Sequence, residues 1–119
     1  MSDNVEWVMV MDIRAGKADH ARPLLDEMVE TTEADEPGAL HYEYYMNADE
    51  TRCTSLERYE DSDAVMKHLA NFASLYAERF FACFKPVSFT VYGPASDQVR
   101  EALAQLGATH ESRTAGFSR

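Results

Sequence analysis

The segment "EPGALHYEYYMN", residues 36–47, decides how this chain folds. Pro37 and Gly38 end the helical pattern before them, because a proline disfavours helix in the preceding residue and glycine favours turns. The residues that next alternate toward one side are Leu40, Tyr42, Tyr44 and Met46. This period of two predicts a β-strand whose aromatic side either fills a core or lines a pocket for a flat ring.

The segments on either side give the order strand, helix, strand, strand, helix, strand. Residues 5–13 alternate as a strand, and an amphipathic helical pattern from about residue 18 runs to the Pro-Gly turn. A third strand over residues 53–59, a helix over about 62–84 and a fourth strand over 87–93 follow. The order predicts the α+β class and a ferredoxin-like βαββαβ fold, with an antiparallel four-stranded sheet and both helices on one face.

The C-terminal residues exceed what this fold needs. We expect residues 1–93 to form the ferredoxin-like unit and residues 94–119 to form an extension of the same domain. The stretch "PASDQVREALAQLG" predicts a short capped helix that ends at Gly107. The remainder is ambiguous in sequence, and Phe117 in a polar context suggests an arm across a dimer or a cover on a cavity.

The charge balance excludes some partners. The chain of 119 residues has 11 Lys and Arg against 21 Asp and Glu, a formal net charge of -10. Such a surface repels polyanions, so we expect neither nucleic acid nor an anionic membrane as a partner. No segment approaches the roughly 20 apolar residues that span a bilayer, and "MSDNVEW" lacks signal-peptide features. We expect a cytoplasmic protein in which Cys53 and Cys83 are reduced, partly buried thiols.

One face of the predicted sheet has no helix to cover it. The side chains expected to point outward there are Val8, Val10, His41, Tyr45 and Arg58. This mixture is too apolar for a fully solvated surface. A second sheet is the expected cover, which predicts a homodimer.

Several short motifs, taken in order, resemble the antibiotic biosynthesis monooxygenase (ABM) family over about residues 5–92. They are Gly16, Pro37-Gly38, Leu40 with Tyr42-Glu43 and Tyr45, Glu57-Arg58-Tyr59-Glu60-Asp61, and His68-Leu69. The resemblance implies a homodimeric α+β barrel in which each protomer holds a cavity between its own sheet and helices. It also implies one of several chemistries, because relatives oxygenate quinols or anthrones without metal or flavin, cleave haem, or isomerise small molecules.

Departures from the family pattern narrow that choice. Haem-cleaving relatives have an Asn on the first strand and a Trp and a His on the second helix, where this chain has Met9, His68 and Glu78. Haem oxygenation is therefore not expected. Relatives that oxygenate anthrones have a Tyr near the position of Val65, so their mechanism does not transfer residue by residue.

His68 and Glu57 are the candidate catalytic residues. Helical spacing places His68 at the border of an apolar face, and alternation places Glu57 with Ser55 and Tyr59 on one face of the third strand. In the family this face lines the cavity, so the two side chains can meet. A carboxylate beside an imidazole fixes its tautomer and suits it to general-base catalysis. The alternatives are a hydrogen-bonded core histidine and an ion pair that only braces helix against sheet.

The candidate substrate-binding residues form a mostly aromatic set: Trp7, Met9, Tyr42, Tyr44, Ser55, Tyr59 and Phe72. Stripes of this kind also occur in ordinary cores, and this alternative stays open. No nucleotide-binding motif is present, and the four histidines lack metal-ligand spacing, so we expect no cofactor and no metal.

Three functions fit these residues. The leading hypothesis is a cofactor-independent monooxygenase that oxidises a quinol-like or other small aromatic substrate with dioxygen. The second is an isomerase that uses the same pocket. The third is a non-catalytic dimeric module that binds a small hydrophobic or aromatic ligand.

Overall fold

The computed structural model describes residues 2–119. The strands are β1 (Val5–Ile13), β2 (Ala39–Met46), β3 (Arg52–Tyr59), β4 (Phe84–Tyr92) and β5 (Thr109–Glu111). The helices are α1 (Ala18–Asp35), α2 (Ser62–Leu75), α3 (Ala77–Cys83) and α4 (Asp97–Ala104). Among the helices within residues 2–119, none has the length and apolar character required to cross a membrane.

The sheet confirms the predicted ferredoxin-like α+β fold and adds one strand to it. Its order is β2-β3-β1-β4-β5. The first four strands are antiparallel, whereas β5 pairs in parallel with β4. The predicted C-terminal helix is α4, and part of the predicted arm is β5.

The core lies between the helices and one face of the sheet, which we call the inner face. On β1 the alternate residues from Val5 to Ile13 are buried, and those between them are half-buried on the outer face. The inner-face residues of β3 are also buried, and they include the polar side chains of Ser55 and Glu57. β3 therefore places two polar side chains inside the core.

The second half of the chain differs from the prediction in two places. The helix predicted over residues 62–84 is two helices, because the backbone of Tyr76 (φ -130, ψ -21) leaves helical geometry. The fourth strand begins at Phe84 rather than at residue 87, so it contains Pro86. A register shift in β1 between Val10 and Met11 lies opposite this proline, and such an irregularity accommodates a residue that has no N–H to donate.

The predicted alternation of β2 is correct only from Tyr42 onward. A register shift between Ala39 and His41 leaves Leu40 53% exposed, although it was expected on the inner face. Tyr42, Tyr44 and Met46 are half-buried on the inner face. The irregularity therefore separates Leu40 from the aromatic residues that follow it.

Candidate active site

His68 lies inside the protein on the middle of α2. The helix begins at Ser62, where the Asp61 carboxylate accepts a hydrogen bond from the backbone N–H of Ala64 and satisfies an otherwise free donor. The side chain of His68 points toward the sheet and is only 6% exposed. Helical spacing predicted this border position.

Glu36 is the nearest carboxylate partner of His68, and it was not predicted from the sequence. Its Oε1 lies 2.9 Å from His68 Nδ1, and its Oε2 accepts a hydrogen bond of 3.2 Å from Asn71 Nδ2. Burial acts to raise the pKa of Glu36, but the hydrogen bonds from His68 and Asn71 outweigh it and leave that pKa below its ordinary value. Glu36 is therefore a buried carboxylate, and the Nδ1–H of His68 donates to it.

Glu57 approaches the other ring nitrogen, as predicted. Its Oε1 lies 3.6 Å from His68 Nε2 and accepts a hydrogen bond of 2.7 Å from the hydroxyl of Tyr59. Burial raises the pKa of Tyr59, and the neighbouring Glu57 carboxylate raises it further. Tyr59 therefore remains a protonated phenol and a hydrogen-bond donor.

The imidazole of His68 lies between two carboxylates, and each ring nitrogen faces one of them. With Nδ1–H directed at Glu36, a neutral imidazole turns the lone pair of Nε2 toward an oxygen of Glu57. An imidazole held in this way can accept a proton at Nε2 beside the Glu57 carboxylate, which is the arrangement of a general acid–base pair.

Aromatic rings surround this cluster. Their centroids lie 5.0 Å (Tyr59), 5.3 Å (Tyr42) and 6.5 Å (Trp7) from that of His68. The hydroxyls of Tyr42 and Tyr44 are 2.9 Å apart, and burial raises the pKa of both phenols. The predicted residues Trp7, Tyr42 and Tyr59 thus contact the histidine, and Tyr44 is linked to it through Tyr42.

Three other predicted residues lie in the interior but are not part of this aromatic shell. Met9 is buried beside Ser55 in the register of β1 and β3. Within residues 2–119, the buried hydroxyl of Ser55 has no hydrogen-bond partner. Phe72 packs against Phe80 and Phe81 at centroid distances of 5.1 and 5.9 Å, in an aromatic cluster between α2 and α3.

Two cavities are open to solvent at one end of the sheet. The larger, of about 480 Å³, lies between α1, β2 and the β2–β3 turn, and it is lined in part by Leu25, Val29, Tyr44 and Met46. A smaller one of about 320 Å³ lies at the β1–α1 loop. Of the predicted site residues, only Tyr44 lines either cavity. Within residues 2–119, no group of three or more His, Cys, Asp or Glu side chains is placed to bind a metal ion.

A family model described as antibiotic biosynthesis monooxygenase matches residues 5–77, more than half of the chain. The chain belongs to this family. The match includes β1 through α2, and so it contains Glu36, Glu57 and His68. Comparison with curated proteins gave no match.

Solved structures also resemble this ABM protein. MupZ from Pseudomonas fluorescens is 26% identical, with a TM-score of 0.86 over 99% of this chain and 96% of that one. Rv0793 from Mycobacterium tuberculosis is 26% identical, with a TM-score of 0.58 over 79% of this chain and 97% of that one. SnoaB from Streptomyces nogalater, described as a cofactor-independent oxygenase, is 16% identical, with a TM-score of 0.66 over 80% of this chain and 96% of that one. At this identity SnoaB shows the fold alone.

Proposed function

We propose that this ABM protein is a cofactor-independent monooxygenase that oxidises a quinol-like or other small aromatic substrate with dioxygen. The observation that carries the proposal is the buried imidazole of His68 between the carboxylates of Glu36 and Glu57. Membership of the ABM family and the resemblance to SnoaB add support.

The first step is the removal of a proton from the substrate. A quinol O–H or an anthrone C–H becomes electron-rich once its proton is lost, and the pair of Glu57 and His68 accepts that proton. Glu36 holds Nδ1–H throughout, so that Nε2 is the nitrogen that exchanges protons. Glu36 is in this way a positioning residue, whereas His68 and Glu57 act on the substrate.

The later steps need dioxygen but no further reactant. For an anthrone-type methylene, the substrate anion passes one electron to dioxygen, and the two radicals combine to form a C–O bond. The resulting peroxide takes up a proton from the pair of His68 and Glu57. Loss of the second C–H proton then breaks the O–O bond and gives a carbonyl and water. The methylene and dioxygen are thus converted fully into the carbonyl and one water molecule.

The substrate would approach from the cavity between α1 and β2. Tyr44 lines this cavity, its hydroxyl bonds to that of Tyr42, and the ring of Tyr42 packs edge-on against His68. Leu25 and Val29 provide apolar contacts for a ring on the helix side. Movement of the two tyrosines would join the cavity to the acid–base pair.

Oxygen uptake in the presence of naphthohydroquinones and anthrones tests the proposal. We expect uptake above the autoxidation rate, and a loss of about 100-fold or more in His68→Ala. His20→Ala is the matched control, because His20 is exposed on α1 and lines neither cavity. Uptake that never exceeds autoxidation with any compound, or that is the same in His68→Ala, contradicts oxygenation.

The packing of the site also favours a second candidate function, a non-catalytic module that binds a small aromatic ligand. The rings of Trp7, Tyr42 and Tyr59 pack directly on His68, and neither cavity reaches it. Ligand affinity that His68→Ala retains, without turnover in the parent protein, favours this function. Turnover that continues under nitrogen favours the isomerase instead.

We also propose that the protein forms a homodimer through the outer face of the sheet. The central side chains of that face are Val8, Val10, Thr54 and Leu56, which are uncharged and half-buried in a single chain. A second copy placed face to face would bury them and complete the α+β barrel. Tyr45, 52% exposed on the same face, would be buried further.

We propose a cytoplasmic location because the two cysteines form no disulfide. Cys53 and Cys83 are both free and buried. Burial raises the pKa of the Cys53 thiol to about 11, so it remains an unreactive thiol. Two free, buried cysteines fit a reducing compartment.

A further inference from the structure

The last eight residues cross one end of the outer face. After β5, residues 112–119 form a segment that we call the arm. The hydroxyl of Ser118 accepts a hydrogen bond of 3.1 Å from Arg58 Nη1, and Arg58 points outward from β3. The arm therefore leaves β5 at one edge of the sheet and reaches a strand on its other side.

The strand register gives the span between the two ends of the arm. Glu111 lies beside Tyr92, Tyr92 is opposite Glu6, and Glu6 is opposite Arg58. These four residues form one row across β5, β4, β1 and β3, a distance of roughly 15 Å at the usual strand spacing. The contact between Ser118 and Arg58 lies in this end row, whereas Val8 and Val10 lie in the central rows.

The arm gains little burial from its own chain. All of its residues are exposed, and Phe117 has 78% of its surface exposed to solvent. The guanidinium of Arg119 lies 5.2 Å from the centroid of the Phe117 ring, which leaves most of the ring uncovered. A large aromatic side chain displayed in this way is typical of a contact with another molecule.

The charges of the outer face suit a second copy of the same acidic chain. Arg58 pairs with Glu6 at 2.7 Å, and Arg52 pairs with Asp12 at 2.9 Å. The carboxylates of β1 on this face are thus neutralised, although the chain as a whole carries a formal charge of -10. Two such faces can therefore meet at β1 without repulsion between unpaired carboxylates.

We infer that the arm is part of the homodimer interface and that Phe117 of each copy packs on the outer sheet face of the other. The inference rests on the proposed homodimer. It also agrees with the coverage of MupZ, which matches 99% of this chain, whereas the ABM family model ends at residue 77. The arm lies beyond the residues that the family model matches, and the proposed interface gives it a role.

The experiment compares the dimer dissociation constant of the full chain with that of three variants by sedimentation equilibrium. Deletion of residues 112–119 keeps β5, and Phe117→Ser removes only the aromatic ring. We expect both to weaken the dimer by about tenfold or more, as loss of an interface anchor does. Leu75→Ser is the matched control, because Leu75 is 50% exposed at the end of α2 on the helix side and should leave the constant unchanged.

A fourth variant, Val10→Arg, places a charge at the centre of the outer face and separates failure of the arm from failure of the dimer. If Val10→Arg is monomeric and both arm variants dimerise like the full chain, the arm inference is wrong and the dimer stands. If the full chain is monomeric at every concentration, both are wrong. If the arm variants weaken a dimer that Val10→Arg leaves intact, the arm binds elsewhere and the inference is also wrong. Circular dichroism melting shows that each variant is folded.

Discussion

Oε1 of Glu36 lies 2.9 Å from Nδ1 of His68, which joins the end of α1 to the middle of α2 inside the protein. The carboxylate removes any choice of tautomer, since Nδ1 must carry a proton to donate to it. Nε2 is left as the nitrogen that faces Glu57 and the tyrosines. Glu36, at the end of α1, thus determines that His68 exchanges protons through Nε2.

Glu36→Gln should lower stability at neutral pH and change its dependence on pH. A carboxyl whose pKa in the folded protein lies below its ordinary value of 4.5 stabilises the fold above that value. The contribution is lost as the pH falls through the folded-state pKa. We expect the variant to be less stable by about 1–3 kcal/mol near pH 7, with the difference shrinking below pH 4.5.

Urea denaturation from about pH 7 to about pH 3 measures this difference. Glu33→Gln is the control, because Glu33 is exposed on the same helix and should not change the curve. A gap between Glu36→Gln and the parent protein that stays constant with pH contradicts the assigned role of the Glu36 charge.

Tyr59→Phe should destabilise the protein by about 1–3 kcal/mol, because it removes the donor to a buried carboxylate and leaves Glu57 with a poorer set of partners. Tyr45→Phe removes a hydrogen bond of similar length, from Tyr45 to Glu43, but on the exposed outer face. We expect a smaller cost, since Tyr45 is 52% exposed in a single chain and lies on the edge strand β2. Equal free energies of unfolding for the two variants would show that burial of Glu57 does not increase the cost of removing its hydrogen bond.

Ser55→Ala should have opposite effects on stability and on ligand binding. The hydroxyl is buried without a partner, so its removal relieves an unsatisfied polar group and stabilises the fold by about 1 kcal/mol. If Ser55 binds the substrate, the same change weakens binding, which isothermal titration with a naphthohydroquinone under nitrogen measures. Unchanged affinity removes Ser55 from the predicted substrate-binding set.

Much of the fold could be predicted from the sequence, because its periodicities are regular. Alternation identified β1 and β3, and helical spacing placed His68 at the border of a buried face. The break at Tyr76 could not be predicted, because the sequence there has no glycine or proline. The break accompanies tertiary packing, in which the rings of Phe72, Phe80 and Phe81 meet edge to face across the two helices.

The candidate site was only partly predictable for a related reason. Alternation along β3 placed Glu57 among the inward-facing residues. Its contact with His68 follows because α2 packs on that face of the sheet. Glu36 belongs to an acid-rich segment, "ETTEADE", whose other carboxylates are exposed. Its burial arises only where the end of α1 meets Asn71 and His68, and no periodicity within α1 reveals that contact.

Gly38, in the turn between α1 and β2, packs closely against α2, and a substitution there measures how close this packing is. A Cβ at this position would lie 2.7 Å from the Cβ of Ala64 and 3.1 Å from Oε2 of Glu60. Gly38→Ala should therefore cost about 1–3 kcal/mol through overpacking, and α2 must shift to accept it. Because α2 carries His68, we expect turnover or ligand affinity to fall as well.

Ala64→Gly supplies the matching half of a double-mutant cycle. Alone it should cost about 1 kcal/mol, since glycine is unfavourable within a helix. Combined with Gly38→Ala it makes room for the new methyl group, so the double variant should be more stable than the sum of the two losses predicts. Urea denaturation of the four proteins gives the coupling free energy. A coupling of zero means that the Gly38 backbone and Ala64 do not touch, and that the turn is placed against α2 by other contacts.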